Sequence, residues 1–226
     1  MPNYRYENKY IIDEYTAELL KIQLKSLMKL DSHSLNDDVS YEIRSLYYDD
    51  LENTAYYDKV NGVEFRSKYR LRMYNNDPKT VKLECKYKDD NMTRKVSCKM
   101  SQRNSKYLIN KEYEKIKFNN TLYKKFIRDI KYNNLLPYVI VDYSRLALTY
   151  PVNEVRVTFD SKLKSSNDIN SFFEDNINRT DCFNTNQIVL EVKYNMYLPD
   201  TLQMVLNQYN LNSCAISKFA TCVDYL

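Results

Sequence analysis

Between Val63 and Tyr74 the chain alternates residue by residue. The even positions are Glu64, Arg66, Lys68, Arg70 and Arg72; the odd ones are Val63, Phe65, Ser67, Tyr69, Leu71 and Met73. Successive side chains on a β-strand point to opposite faces, so a strand here carries four cations on one face and mostly apolar groups on the other. The next run repeats the pattern: Lys82, Glu84, Lys86 and Lys88 share a face opposite Val81, Leu83, Cys85 and Tyr87. Lys95, Ser97 and Lys99 follow on a third run. Glu154, Arg156, Thr158 and Asp160 oppose Val155, Val157 and Phe159, and the sets Glu191/Lys193 and Arg5/Glu7/Lys9 each share one parity. An antiparallel sheet with one wet face also alternates, but such a face mixes its signs, because like charges side by side repel. Here cations dominate several runs with single glutamates between them. A face of this kind is stabilised by an anion, and the planar fork of arginine suits phosphate oxygens.

The remaining segments frame these runs. Asn3 to Ile12, Tyr41 to Tyr48, Leu136 to Leu148 and Gln187 to Asn195 read as strands. Asn53 to Val60 reads as an arm leading into a hairpin at Asn61-Gly62, a dipeptide suited to two positive φ angles. Asn75 to Pro78 and Asp89 to Asn91 read as turns. Asp13 to Leu30, Ser101 to Lys131, Asn167 to Asn178, a short segment opened by Pro199 and Ala215 to Leu226 read as helical. Many antiparallel strands with a few helices predict an α+β fold, an antiparallel β-barrel tunnel with helices packed outside. The 226 residues form one domain in this reading, with no repeat or linker.

Scarce residues exclude several chemistries. His33 is the only histidine; it lies in the polar stretch 31–34 and reads as a solvated loop residue, which leaves no triad, Cys-His pair or multi-histidine metal site. Gly62 is the only glycine, so a P-loop or dinucleotide fingerprint is ruled out and any phosphate must be held by side chains. Five cysteines, an odd number without C-x-x-C spacing, argue against a disulfide framework or zinc site and for a reducing cytoplasm. The N-terminus lacks an apolar signal region, and the stretch 135–150 is too short and too charged to span a bilayer. The net charge of +4 is modest for a nucleic-acid binder, and Tyr69 lies opposite the arginines, where it cannot stack bases on the basic face.

Glu7, Glu84 and Glu191 each occur as Glu-x-Lys on a strand, with carboxylate and ammonium on one face. Two readings stand: a cross-strand charge pair, or a carboxylate ligand for Mg²⁺ or Mn²⁺ with the lysine holding a phosphate beside it.

In order along the chain, Arg5-Tyr6-Glu7-Asn8-Lys9-Tyr10, Tyr47-Tyr48-Asp49, Lys68-Tyr69-Arg70-Leu71-Arg72, Leu83-Glu84-Cys85-Lys86, Lys95-Val96-Ser97-Cys98-Lys99, Asp142-Tyr143-Ser144-Arg145, Val155 to Asp160, Leu190-Glu191-Val192-Lys193 and Ser217-Lys218-Phe219 resemble the VTC domain, the polyphosphate-polymerase branch of the triphosphate tunnel metalloenzyme (CYTH-like) superfamily. The resemblance implies a metal-dependent phosphotransferase that moves the γ-phosphate of ATP onto polyphosphate in a basic tunnel. Arg70, Arg72, Lys86, Arg145 and Arg156 would neutralise the triphosphate. Lys9, Lys59, Lys95, Lys99, Lys193 and Lys218 would line the rest. Glu191, with Glu7 or Glu84, would hold Mn²⁺ or Mg²⁺. ATP and polyphosphate are the expected partners, with no nucleic acid. A triphosphatase and a non-catalytic polyphosphate-binding module are the alternatives. Arg5 stands where the wider superfamily has a first glutamate, which resembles the polymerase branch. Eukaryotic polymerase subunits add an SPX domain and transmembrane helices; neither is present in this sequence, so a membrane partner protein stays unspecified. Arg145 shares the parity of Val139, Val141 and Tyr143, so a bulge or strand end is expected to turn it inward.

Overall fold

The alternating runs are strands of one antiparallel sheet. The structure, a computed structural model, describes residues 5–33, 40–89, 92–183 and 186–226. Its strands are β1 (Tyr6–Asp13), β2 (Lys29–Leu30), β3 (Tyr41–Asp49), β4 (Arg66–Tyr74), β5 (Asp77–Asp89), β6 (Met92–Lys99), β7 (Leu136–Tyr150), β8 (Val155–Ser166), β9 (Thr180–Asp181) and β10 (Gln187–Tyr194). The helices are α1 (Glu14–Lys25), α2 (Thr54–Val60), α3 (Gln102–Ile109), α4 (Thr121–Asn133), α5 (Asp200–Asn207) and α6 (Lys218–Val223). The sheet runs β1-β10-β8-β7-β3-β4-β5-β6, with the two-residue strands β2 on β7 and β9 on β8. It curls until its two edges meet: the Arg5 and Thr93 amides each donate to the other's carbonyl, at 3.3 and 3.4 Å.

Apolar residues of the outer face are covered by helices. Leu71, Met73, Leu83 and Cys85 pack with Leu108 of α3 and with Tyr123, Phe126 and Ile130 of α4. On the other side Val155, Val157, Phe159, Leu190 and Val192 pack with Leu20 and Leu24 of α1 and Leu202 and Leu206 of α5. A third cluster plugs the inside. Val139, Val141 and Tyr143 of β7 meet Ala55 of α2 and Phe219 and Cys222 of α6.

That inner cluster resolves the parity of Arg145 without a bulge at that residue. The register pairs Arg145 with Tyr41 and with Asp160, so beyond the register shift at Tyr47/Tyr48 the odd residues Val139 to Arg145 of β7 face inward, Val139, Val141 and Tyr143 among them against α2 and α6. The irregularity lies between Asp142 and Ser144, where Ser161 and Lys164 are the partners on β8 and Lys162 takes a positive φ. The extra residue shifts the parity of β8, so that Asp160 and Leu163 both turn inward.

Two other expectations are corrected. In place of the hairpin arm expected over 53–60, Thr54–Val60 forms α2. The Asp49 carboxylate accepts from the Ala55 and Tyr56 amides at 2.8 and 3.0 Å, and Asp50 from Thr54 at 2.9 Å, so acidic side chains satisfy the first-turn donors that a new helix leaves open. Asn61-Gly62 ends this helix. Gly62 (φ 71) donates to Lys59 O and Val63 to Asp58 O, the paired bonds of a Schellman cap. The hairpin turn with two positive φ angles is Asn75-Asn76 (49 and 51), joining β4 to β5. The helix expected over 167–178 is only a 3-10 turn, Ile169–Phe173. The carbonyls of Phe172 and Glu174 accept from Arg44 Nη1 at 3.0 and 2.7 Å, which draws them away from a helical ladder. The expected loop over 31–38 and turn at 89–91 lie partly outside the described residues.

The cap makes a prediction. An added Cβ on Gly62 meets nothing within 4 Å, so Gly62→Ala carries only the backbone cost of a left-handed conformation, about 1–2 kcal/mol. Urea unfolding should show that loss, with Gly62→Asn losing less; an Ala variant as stable as the parent contradicts the cap.

Candidate functional site

The inward faces of these strands enclose a partly open cavity of about 500 Å³. Of its 26 lining residues fifteen are Arg or Lys and two are Glu. The strands supply them at alternate positions: Glu7 and Lys9 from β1, Arg66, Lys68, Arg70 and Arg72 from β4, Lys86 and Lys88 from β5, Lys95 from β6, Arg145 from β7, Arg156 from β8, Glu191 and Lys193 from β10. Lys59 enters from α2. The segment 214–219 leading into α6 adds Lys218, held in place because Cys214 donates its amide to Lys9 O at 2.9 Å and Lys9 Nζ donates to Ile216 O at 3.1 Å.

Buried carboxylates hold the cations in three groups. Glu84 is the first: its Oε2 accepts from Arg70 Nε and Nη2 at 2.8 and 2.6 Å, and its Oε1 from Lys95 Nζ at 3.0 Å. Arg72 lies 3.8 Å from the same carboxylate and donates to Tyr143 Oη at 3.1 Å. Burial pushes the Glu84 carboxyl up, but Arg70, Arg72 and Lys95 outweigh it and hold it well below the carboxylate range. Asp160 is the second, accepting from Arg145 at 2.5 and 2.6 Å through both oxygens and pairing with Lys218 at 2.6 Å. The third joins β1, β5 and β10. Glu7 pairs with Lys9 at 2.9 Å and Lys86 at 2.8 Å, and Glu191 with Lys193 at 2.5 Å. Burial and Glu7 push Glu191 up; Lys193, Lys9 and Lys218 prevail and keep it ionised. Burial lowers Lys9, yet Glu7 and Glu191 raise it above the ordinary lysine range.

Lys68 differs. Burial first, then Arg66 and Lys59 beside it, lower its pKa to about 7, and its ammonium lies 4.5 Å from the centre of the Phe219 ring.

Thirteen of the fourteen residues singled out in the sequence gather at this site. Lys99 does not line the cavity: it is exposed at the end of β6, opposite Lys82, where the chain turns to bury Met100 under Val81. Glu84 is present but lies beneath the wall, with both oxygens engaged by cations, so it fits an anchor for Arg70, Arg72 and Lys95 better than a metal ligand. Glu7 and Glu191 sit in one group and could serve together. No cluster of three or more His, Cys, Asp or Glu able to hold a metal occurs among the described residues, so the pair fits a hard divalent ion only if phosphate oxygens complete its coordination. Sequence reasoning missed Tyr47 and Tyr143, whose hydroxyls accept from Arg70 and Arg72. It also missed Asp160 as a partner of Arg145, because parity set Arg145 among the apolar residues of its run and Asp160 among the charged residues of its own; the β7–β8 register brings them together. His33 is exposed, its ring against Tyr74 at 5.0 Å and its Nδ1 2.9 Å from Asp31, which pairs with Arg156 at 2.8 Å.

Known structures share this architecture at low identity. A candidate adenylate cyclase of Vibrio parahaemolyticus superposes with a TM-score of 0.54 at 11% identity, over 99% of this chain and 99% of the other. One of Bacillus halodurans gives 0.51 at 12%, over 90% and 86%. The PH1819 protein of Pyrococcus horikoshii gives 0.50 at 9%, over 99% and 100%. At such identities the likeness is one of fold. No curated protein sequence matches the chain. Residues 4–226, nearly its whole length, match the sequence profile of the VTC domain, and the chain therefore belongs to the VTC domain family.

Proposed function

We propose that this protein is a polyphosphate polymerase, transferring the γ-phosphate of ATP to the end of a polyphosphate chain inside the cavity. The observation that carries the reading is the wall itself: fifteen cations against two carboxylates around a cavity large enough for a triphosphate and several phosphates more. A terminal phosphate oxygen of the chain attacks the γ-phosphorus. The new P–O bond forms as the bond from that phosphorus to the β–γ bridging oxygen breaks, and ADP leaves. The attacking oxygen is already ionised, so no protein base is needed, in keeping with the single, exposed histidine. Catalysis of this kind rests on positioning and on charge stabilisation.

Arg70, Arg72, Lys86, Arg145 and Arg156 hold the triphosphate. Arg70 and Arg145 are pre-oriented by Glu84 and Asp160, so less reorganisation is needed when substrate binds. Lys9, Lys95, Lys193 and Lys218 line the path beside them. Glu7 and Glu191 would hold Mn²⁺ or Mg²⁺, which would supply positive charge to offset that of the phosphates. Lys9, Lys86 and Lys193 now occupy these carboxylates and would turn to the phosphates instead. The VTC family membership and the nucleotide-related names of two fold neighbours support a phosphate- or nucleotide-binding tunnel of this kind.

Incubation with ATP and Mn²⁺ should give a ladder of polyphosphate on a stained gel. Free phosphate without chains would mean a triphosphatase, and neither product a binding module. Glu191→Gln removes a metal ligand but frees Lys9 and Lys193, so kcat should fall by about a hundredfold or more while polyphosphate affinity is kept; normal turnover would contradict the metal assignment. Arg72→Ala should weaken ATP binding about tenfold, the value of one charge-assisted hydrogen bond, measured by titration calorimetry; unchanged affinity would place Arg72 outside the site.

A further inference from the structure

The ion pairs make the cavity electrically two-sided. Around Glu7, Glu191, Glu84 and Asp160 the cations have carboxylate partners. On the side covered by α2 they do not: no ion pair joins Lys59, Arg66 or Lys68 to a carboxylate among the described residues. Arg66 donates to the carbonyl of Val63 instead, and Lys68 sits over Phe219. The register continues the excess across the sheet, with Lys68 opposite Lys86 and Arg66 opposite Lys88. Like charges directly opposite one another destabilise a sheet, so this side calls for an anion that the chain itself does not provide. The two sides also differ in what they offer an anion. Beside Glu7 and Glu191 the lysines are already engaged by carboxylates, whereas on the α2 side the cations have no carboxylate within ion-pair distance among the described residues and can meet a polyanion without breaking an ion pair.

We infer that Lys59, Arg66 and Lys68 form a separate subsite for an inorganic polyanion without a nucleoside, and that the growing chain leaves the Glu7–Glu191 side across it, beneath α2. The direction of travel rests on the polymerase reading; the anion subsite does not. Lys68 makes the subsite distinguishable. It is faced by Arg66 on its own strand, Lys59 from α2, Lys86 from β5, Asp49 from β3 and Phe219 from α6. Burial and the flanking cations leave it largely neutral above pH 7 when the site is empty. An anion favours the charged form, so binding at pH 8 draws in a proton, and affinity weakens as pH rises above 7. Arginine at this position stays charged throughout.

The test is calorimetric titration with tripolyphosphate at pH 8, in buffers of different ionisation enthalpy. The parent should take up more protons per bound anion than Lys68→Arg, which should bind at least as tightly. Lys68→Met removes a poorly solvated amine flanked by cations and should fold, but bind tripolyphosphate about tenfold more weakly. Equal proton uptake in parent and Lys68→Arg, or unchanged affinity in Lys68→Met, overturns the subsite. In the ATP and Mn²⁺ assay Lys68→Met should give shorter chains; chains of parental length overturn the product role. If the parent makes no chains but the titrations behave as expected, the polymerase reading and the product role fall while the anion subsite stands.

Discussion

The Glu84 carboxylate is the contact on which the arrangement of β4, β5 and β6 depends. Arg70, Arg72 and Lys95 converge on it from two neighbouring strands, and it is 1% exposed. Three cations packed this closely would drive the strands apart or admit water. One buried acceptor of opposite charge fixes two guanidinium planes against the sheet and leaves their remaining donors aimed inward. Removing one partner of such a buried pair typically costs about 3–5 kcal/mol, because it leaves an unpaired charge. Asp160 does the same for Arg145 and Lys218 across the lumen. The carboxylates of this barrel are therefore read first as devices that permit a basic interior, and only Glu7 and Glu191 are placed to share a ligand.

The inward face of the sheet was legible in the sequence because a strand has a period of two and the lumen reverses the usual meaning of inside. Cations at alternate positions on β4 and β5, with apolar residues between them, specify one wet inner face and one dry outer face, and helices must cover the latter. Parity alone could not place what depends on the third dimension. Arg145 looked misplaced because its apolar neighbours were assumed to face the outer core; the plug formed by α2 and α6 gives Val139 and Val141 an apolar surface inside. The helix α2 was hidden because its first-turn amides are satisfied by Asp49 and Asp50, at the end of the preceding strand, and because Asn61-Gly62 suits a helix end as well as a hairpin. Lys99 shares the parity of Lys95, but it lies where β6 leaves the barrel. Position along a strand, unlike parity, is not written in the alternation.

Structures at 9–12% identity share the fold of this chain over 86–100% of their own length. So little identity is enough because the fold asks for little: alternating outer positions that are apolar, turns that close antiparallel pairs, and inner positions that are polar. Which polar residue occupies an inner position is a separate matter, decided by what the lumen must hold. In this chain the answer is mostly arginine and lysine, with tyrosine hydroxyls as second acceptors for the guanidinium groups.

A lumen of this kind is in tension with its own stability. Every cation without a partner raises the energy of the empty protein, and burial makes the penalty larger because little solvent screens it. Complete pairing would remove the cost and the binding capacity together, since an incoming phosphate would then have to break ion pairs to find donors. The chain follows a middle course: pairs hold Arg70, Arg72, Arg145 and Lys218 in position, and the α2 side is left uncompensated. Lys68 limits the cost there by giving up its proton near neutral pH. A guanidinium could not do so, which gives a physical reason for lysine at a buried inner position of β4 that has cationic neighbours and no ion pair with a carboxylate. Anything that binds the folded state alone stabilises it by mass action, so the same unpaired charges that weaken the empty barrel would make its stability responsive to any polyanion that binds there.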